Sequence, residues 1–148
     1  MEDIDWKYMM EKMQEIRLFS RTLIRRATKE YEIPSEHLDL LSQLAIREEK
    51  MTPMNLSKIM GVNKTIISRI IEQLNIKGYL IKTRDENDKR SYFLSITDLG
   101  REKLDDIYKH YLGPIYELRR RVGEEDFLKL IQCIEKANIK MKEPRQEE

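Results

Sequence analysis

Cysteine is nearly absent from this sequence: Cys133 is the single one in 148 residues. That excludes an intramolecular disulfide and any zinc site built from several thiolates. Glycine and proline are scarce too, five and four in all. A fold of many short strands and tight turns would use more of both. No apolar stretch approaches the roughly 18 residues that cross a bilayer. The opening residues Met-Glu-Asp-Ile-Asp lack the basic-then-apolar order of a secretory leader. The expectation is a cytoplasmic protein with no membrane partner. His37 and His110 are far apart in sequence and lack metal-ligand spacing. No nucleophile–base motif, phosphate-cradling glycine loop or paired-histidine zinc signature occurs. No catalysis, no cofactor and no metal are therefore expected. Cys133 lies beside an apolar helical stripe, where a buried and inert thiol is the default expectation.

An excess of either charge is also missing: 28 Lys and Arg face 27 Asp and Glu, for a net +1. The distribution of charge is more informative than its total. Between Asn55 and Tyr92 stand eight cations (Lys58, Lys64, Arg69, Lys77, Lys82, Arg84, Lys89 and Arg90). Four anions (Glu72, Asp85, Glu86 and Asp88) leave that segment at +4 and the remainder at −3. A basic segment between acidic flanks is an electrostatic footprint for a polyanion. Hydrophobic residues make up 40% of the chain and charged residues 37%. The first figure suffices for a core, and the second implies long solvated helix faces.

Apolar residues Trp6, Met9, Met10, Met13, Ile16, Leu23, Ile24, Ala27 and Tyr31 recur at helical spacing, which predicts one long amphipathic helix. The methionine cluster suits core filling or an adaptable pocket or interface. Pro34 ends that pattern, and Ser35 can cap a second helix with Leu38, Leu41, Leu44 and Ala45 or Ile46 inward. Thr52-Pro53 is a helix start, with Leu56 and Ile59 inward, and Gly61 permits a tight turn after it. Asn63 can cap the next helix, Lys64 to Lys77, which Gly78 stops. Two short helices around a glycine-containing turn form a helix-turn-helix. Tyr79 to Arg84 and Ser91 to Ile96 read as strands of a hairpin with a wholly polar tip. Thr97 or Asp98 then caps a helix reaching towards Leu112, where Gly113-Pro114 interrupts or kinks it. A last helix begins at Glu124, with Phe127, Leu130, Ile131, Ile134 and Ala137 inward.

The second helix of the pair leads with Asn63, Lys64 and Thr65, followed one turn later by Ser68 and Arg69. Short hydrogen-bonding side chains and two cations at a leading helix end suit base edges and phosphates in a major groove. Lys82 and Arg84 lie on the first strand of the hairpin, and Lys89 and Arg90 at its tip. An arginine there suits the negative potential of a narrow minor groove. Asp88 could orient Arg90 through a carboxylate–guanidinium pair, or could simply serve the turn.

The run Gly61-Val62-Asn63-Lys64-Thr65-Ile66-Ile67-Ser68-Arg69 resembles the recognition helix of the MarR family of bacterial regulators. Lys77-Gly78-Tyr79-Leu80, Asp88-Lys89-Arg90 and Leu94-Ser95-Ile96-Thr97-Asp98-Leu99-Gly100 resemble that family's helix exit, wing and following helix. The resemblance covers most of the chain. It implies a mainly α fold with a small antiparallel β-hairpin: a winged helix-turn-helix over 35–96, flanked by dimerisation helices over 1–34 and 97–148. It further implies a homodimer that reads a palindromic double-stranded DNA site as a transcriptional regulator, expected to be a repressor. A small-molecule effector pocket is implied as well. By the same resemblance, Asn63, Lys64, Thr65, Ser68 and Arg69 are recognition-helix contacts, Arg90 is the minor-groove residue, and peroxide sensing is not expected because no cysteine lies near the N-terminus. Ile66 departs from the family's frequent Thr and either meets a thymine methyl or joins the core. The competing expectation is a winged-helix protein-interaction module without DNA binding.

Overall fold

A computed structural model of the chain describes residues 5–24, 33–47 and 49–144. Among these, the elements run α1 (Trp6–Ile24), α2 (Ser35–Ile46), α3 (Pro53–Met60), α4 (Lys64–Ile76), β1 (Leu80–Arg84), β2 (Tyr92–Ile96), α5 (Asp98–Tyr111), α6 (Gly113–Val122) and α7 (Glu124–Lys142). The mainly helical fold with one small hairpin is the expected one. The described residues form two compact units that divide between Tyr111 and Leu112.

In the first unit, the core gathers Leu38, Leu40, Leu41 and Leu44 from α2, Leu56 from α3, and Ile67, Ile70, Ile71 and Leu74 from α4. Leu80 and Leu94 join from the strands, and Leu104 and Ile107 from α5. Each such side chain contributes on the order of 1.5–3 kcal/mol of burial. α2 touches α3, α4, α5 and β2, so it is buried over a broad arc. Leu40, outside the expected stripe, is fully buried for that reason. Of the two candidates at its end, Ala45 packs on the core and Ile46 faces out.

Helix ends follow local chemistry. The Thr52 hydroxyl accepts the Asn55 N–H at 3.1 Å, and the Asn55 side chain accepts the Thr52 N–H at 3.1 Å. This reciprocal box, with Pro53 at the first turn, starts α3. Gly61, at φ 65°, closes it in a left-handed conformation that glycine adopts without cost. Ser35 is not the cap of α2. Pro34, extended at φ −60° and ψ 147°, holds the cap position without a side-chain bond, and Ser35 is the first helical residue.

The strands pair antiparallel, from Leu80 opposite Ile96 to Arg84 opposite Tyr92. A one-residue third rung joins them, because the Leu94 N–H donates to the Met51 carbonyl at 2.8 Å. Sequence pattern misses that rung, since a single residue has no alternation.

In α1 the large apolar side chains Trp6, Met9, Met10, Met13 and Ile16 are all exposed. Ala27 and Tyr31, expected on the same stripe, fall outside the described residues. α5 ends the first unit at Tyr111 and α6 begins at Gly113 in the second, so Gly113-Pro114 interrupts the helix. Phe127, Leu130 and Ile131 of α7 are half-buried, whereas Ile134 and Ala137 are exposed. Cys133 is exposed as well, contrary to the expectation of a buried thiol. α6 has ten residues and α7 has 19, so at 1.5 Å per residue the shorter helix can flank only about half of the longer.

Candidate nucleic-acid interface

α4 is anchored by one side and open on the other. Ile67, Ile70, Ile71 and Leu74 are buried, and the half-buried Ile66 packs against the same core, which resolves its two readings in favour of the core. Asn63, Lys64, Thr65, Ser68 and Arg69 are exposed together at the N-terminal end. The Asn63 side-chain oxygen accepts the Ile66 N–H at 3.0 Å, so this residue caps the helix. Its amide NH₂ takes no part in that cap. The helix N-terminus carries partial positive charge, to which Lys64 and Arg69 add. Among the described residues, neither cation has a carboxylate partner within ion-pair distance.

The wing tip is shaped by its two aspartates. The Asp85 carboxylate accepts the Asn87 N–H at 2.9 Å, and the Asp88 carboxylate accepts the Arg90 N–H at 3.0 Å. Both are side-chain-to-backbone turns of the kind Asp and Asn favour. Asp88 therefore holds Arg90 by its backbone, and among the described residues no ion pair joins the two side chains. Arg84, Lys89 and Arg90 are exposed and likewise lack carboxylate partners within the described residues.

Lys82 stands apart from this group. Its ammonium pairs with the Glu72 carboxylate of α4 and lies 5.1 Å from the centre of the Tyr92 ring on β2. On the neighbouring part of the wing, the Lys50 ammonium lies 5.2 Å from the Phe93 ring.

The base of the wing is fixed by Thr97. Its hydroxyl donates to the Gly78 carbonyl at 2.6 Å and accepts the Gly100 N–H at 3.0 Å, while its own N–H donates to the Tyr79 carbonyl at 3.0 Å. Thr97 thus caps α5 and ties it to the exit of α4. A Cβ at Gly100 would stand 2.2 Å from the Tyr79 carbonyl oxygen, so only glycine allows this approach. Sequence reasoning singled out the Thr97 and Gly100 motif but not this contact; Glu72 it named only in the charge count, and Tyr92 and Lys50 it gave no role. Their signal is long-range pairing, which helical or strand periodicity does not carry.

A helix-turn-helix followed by a hairpin, with unpaired cations on the second helix and at the hairpin tip, defines a winged helix-turn-helix protein. Residues 22–107 match the family model described as transcriptional regulator SarA/Rot. The chain belongs to that family of transcriptional regulators. It is 25% identical over 139 residues to the HTH-type transcriptional regulator TcaR of Staphylococcus aureus (strain Newman), covering 92% of this chain and 90% of TcaR. It is 32% identical over 73 residues to the HTH-type transcriptional regulator YkoM of Bacillus subtilis (strain 168), covering 49% of this chain and 47% of the other. Among solved structures, a mutant MarR from E. coli complexed with operator DNA superposes with a TM-score of 0.77 at 17% identity, over 91% of this chain and 99% of that one. The S. aureus MepR–DNA complex gives 0.72 at 14% identity, over 93% and 99%. At such identities these two matches speak to the fold, and the fold is MarR-like.

Proposed function

We propose that the protein is a homodimeric repressor that binds a palindromic double-stranded DNA site, with α4 in the major groove and the wing tip in the neighbouring minor groove. The observation that carries this reading is the pairing state of the cations. Lys64 and Arg69 on α4, and Arg84, Lys89 and Arg90 on the wing, are exposed without carboxylate partners among the described residues. Unneutralised cations on two adjacent elements favour a polyanion over a protein partner. Asn63, Thr65 and Ser68 supply the hydrogen-bonding groups for base edges and phosphates. The TcaR, MarR and MepR likenesses agree with this reading.

Assembly rests on the exposed apolar side chains of α1 and α7, which a second copy would cover. The 1–34 and 97–148 segments are assigned that role, with α5 also packing on α2. A small-molecule effector would fit a cavity of about 280 Å³ between α2 and α5, lined by Ala45, Ile46, Arg101, Leu104, Asp105 and Tyr108.

Selection of bound sequences from a random duplex library tests the central reading. Enrichment of a two-fold symmetric site, with affinity falling steeply as salt rises, is the expected outcome. Absence of retention on heparin or duplex DNA at low salt would leave the protein-interaction module as the better reading.

A further inference from the structure

Lys82 sits in the most basic part of the chain, yet it is the cation there that the fold has already neutralised. Its side chain is 30% exposed and pairs with Glu72 of α4, whose own side chain is 57% exposed. The Tyr92 ring, half-buried beside the core, provides the second contact. The three residues come from α4, β1 and β2, so the cluster spans the recognition helix and both strands of the wing. Glu72 lies three and four residues beyond Arg69 and Ser68, on the same side of α4. A bare carboxylate there would repel phosphate. Paired with Lys82, it does not, and the pair contributes no net charge to the face.

We propose that Lys82 is a positioning residue rather than a phosphate contact: with Glu72 and Tyr92 it ties the wing to α4 and fixes how far apart the two DNA-reading elements stand. This inference rests on the DNA-binding function proposed above. An exposed ion pair and an exposed cation–π contact are each weak on their own. What they supply here is a fixed angle, which matters only when both elements must reach their grooves at once. Lys82 therefore governs discrimination between sequences more than total attraction.

The salt dependence of binding separates the two roles. A lysine that touches phosphate weakens binding to every sequence alike when removed, and lowers the slope of log affinity against log salt by about one unit. The experiment uses the full chain with two labelled duplexes, one enriched from the random library by the wild-type protein and one scrambled. For Lys82→Gln the expected result is an affinity for the enriched duplex lower by about three- to tenfold. Binding to the scrambled duplex should change less than about twofold, and the salt slope should stay as in wild type. Glu72→Gln gives the sharper outcome. It removes an anion from the DNA-facing side, yet it should also lose discrimination for the enriched duplex.

Equal weakening on both duplexes by Lys82→Gln, with a slope reduced by about one unit, would overturn the proposal. So would a Glu72→Gln protein that binds both duplexes more tightly with its discrimination intact. Thermal unfolding of both variants accompanies the titrations; if Lys82→Gln fails to fold, the Glu72→Gln result decides. Failure of the wild-type chain to enrich or bind any duplex is a different result: it removes the DNA-binding reading itself, and the positioning role with it.

Discussion

Single residues in this molecule differ sharply in how much of their role is written in their immediate neighbours. Arg90 is an exposed arginine at a turn, and its placement was legible because Asp88, two residues before it, makes a turn in any context. The manner of that help was not legible, since the carboxylate takes the Arg90 N–H rather than the guanidinium. Arg90→Ala should lower duplex affinity by roughly tenfold or more, the worth of one good groove contact. The mass measured by light scattering should not change; a parallel loss of assembly would contradict the role given to Arg90. His37 is the opposite case, a residue with no local signature whose state is set by packing. It is buried, and among the described residues its Nδ1 has no hydrogen-bond partner. Burial, with a smaller push from Lys77 and against the pull of Glu36, holds the imidazole below its ordinary 6.5. The unfolded chain then binds the proton more readily than the folded one. The stabilising contribution of neutral His37 is complete above 6.5 and is lost as pH falls through the lower, folded value. The melting temperature should therefore drop between about pH 7 and pH 5, and His37→Leu should flatten that part of the profile. Asp39, raised above its ordinary 3.8 by burial and by Glu36, acts with the opposite sign in the more acid range. An unchanged profile in His37→Leu would place the acid sensitivity elsewhere.

At the scale of elements, caps and turns made most boundaries readable. Thr52, Asn63, Gly61 and Gly78 stand where the sequence pattern puts helix starts and stops, because each satisfies the backbone locally. Ser35 misled because proline before it can hold the cap position without any side-chain bond. Leu40 was missed because an amphipathic stripe describes a helix with one buried face, and α2 is buried on several. Thr52→Ala should cost about 1 kcal/mol of stability, as loss of a helix cap usually does. Gly100→Ala is a harder test of packing. The new methyl would meet the Tyr79 carbonyl oxygen at 2.2 Å, so α5 or the start of the wing must shift. Chemical denaturation should show a loss of roughly 1–3 kcal/mol or more. A neutral Gly100→Ala would mean that the wing base is looser than its hydrogen bonds imply. Because Thr97 joins the exit of α4 to α5, the same variant should also weaken DNA binding without touching any DNA-facing group.

For the whole molecule, the sequence conveys the split between a basic middle segment and acidic flanks more clearly than where one compact unit ends. The boundary falls between Tyr111 and Leu112 because Leu104 and Ile107 of α5 are committed to the core around α2. Periodicity cannot reveal that commitment, as α5 and α7 both look like ordinary amphipathic helices. The exposed Met9, Met10, Met13 and Ile16 of α1 predict assembly: light scattering should give about twice the 17.9 kDa chain mass. Met13→Glu should shift that mass towards the monomer and weaken binding to a symmetric site. A wild-type chain already monomeric at working concentration would undo the assigned interface. The exposed Cys133 adds a consequence of its own. With one thiol per chain, on a helix assigned to assembly, the protein carries a stoichiometric chemical reporter. If a second copy covers that stretch of α7, the alkylation rate of the native thiol should slow as protein is concentrated and recover on dilution. A simple colour-forming titration would then read the association equilibrium with no label introduced.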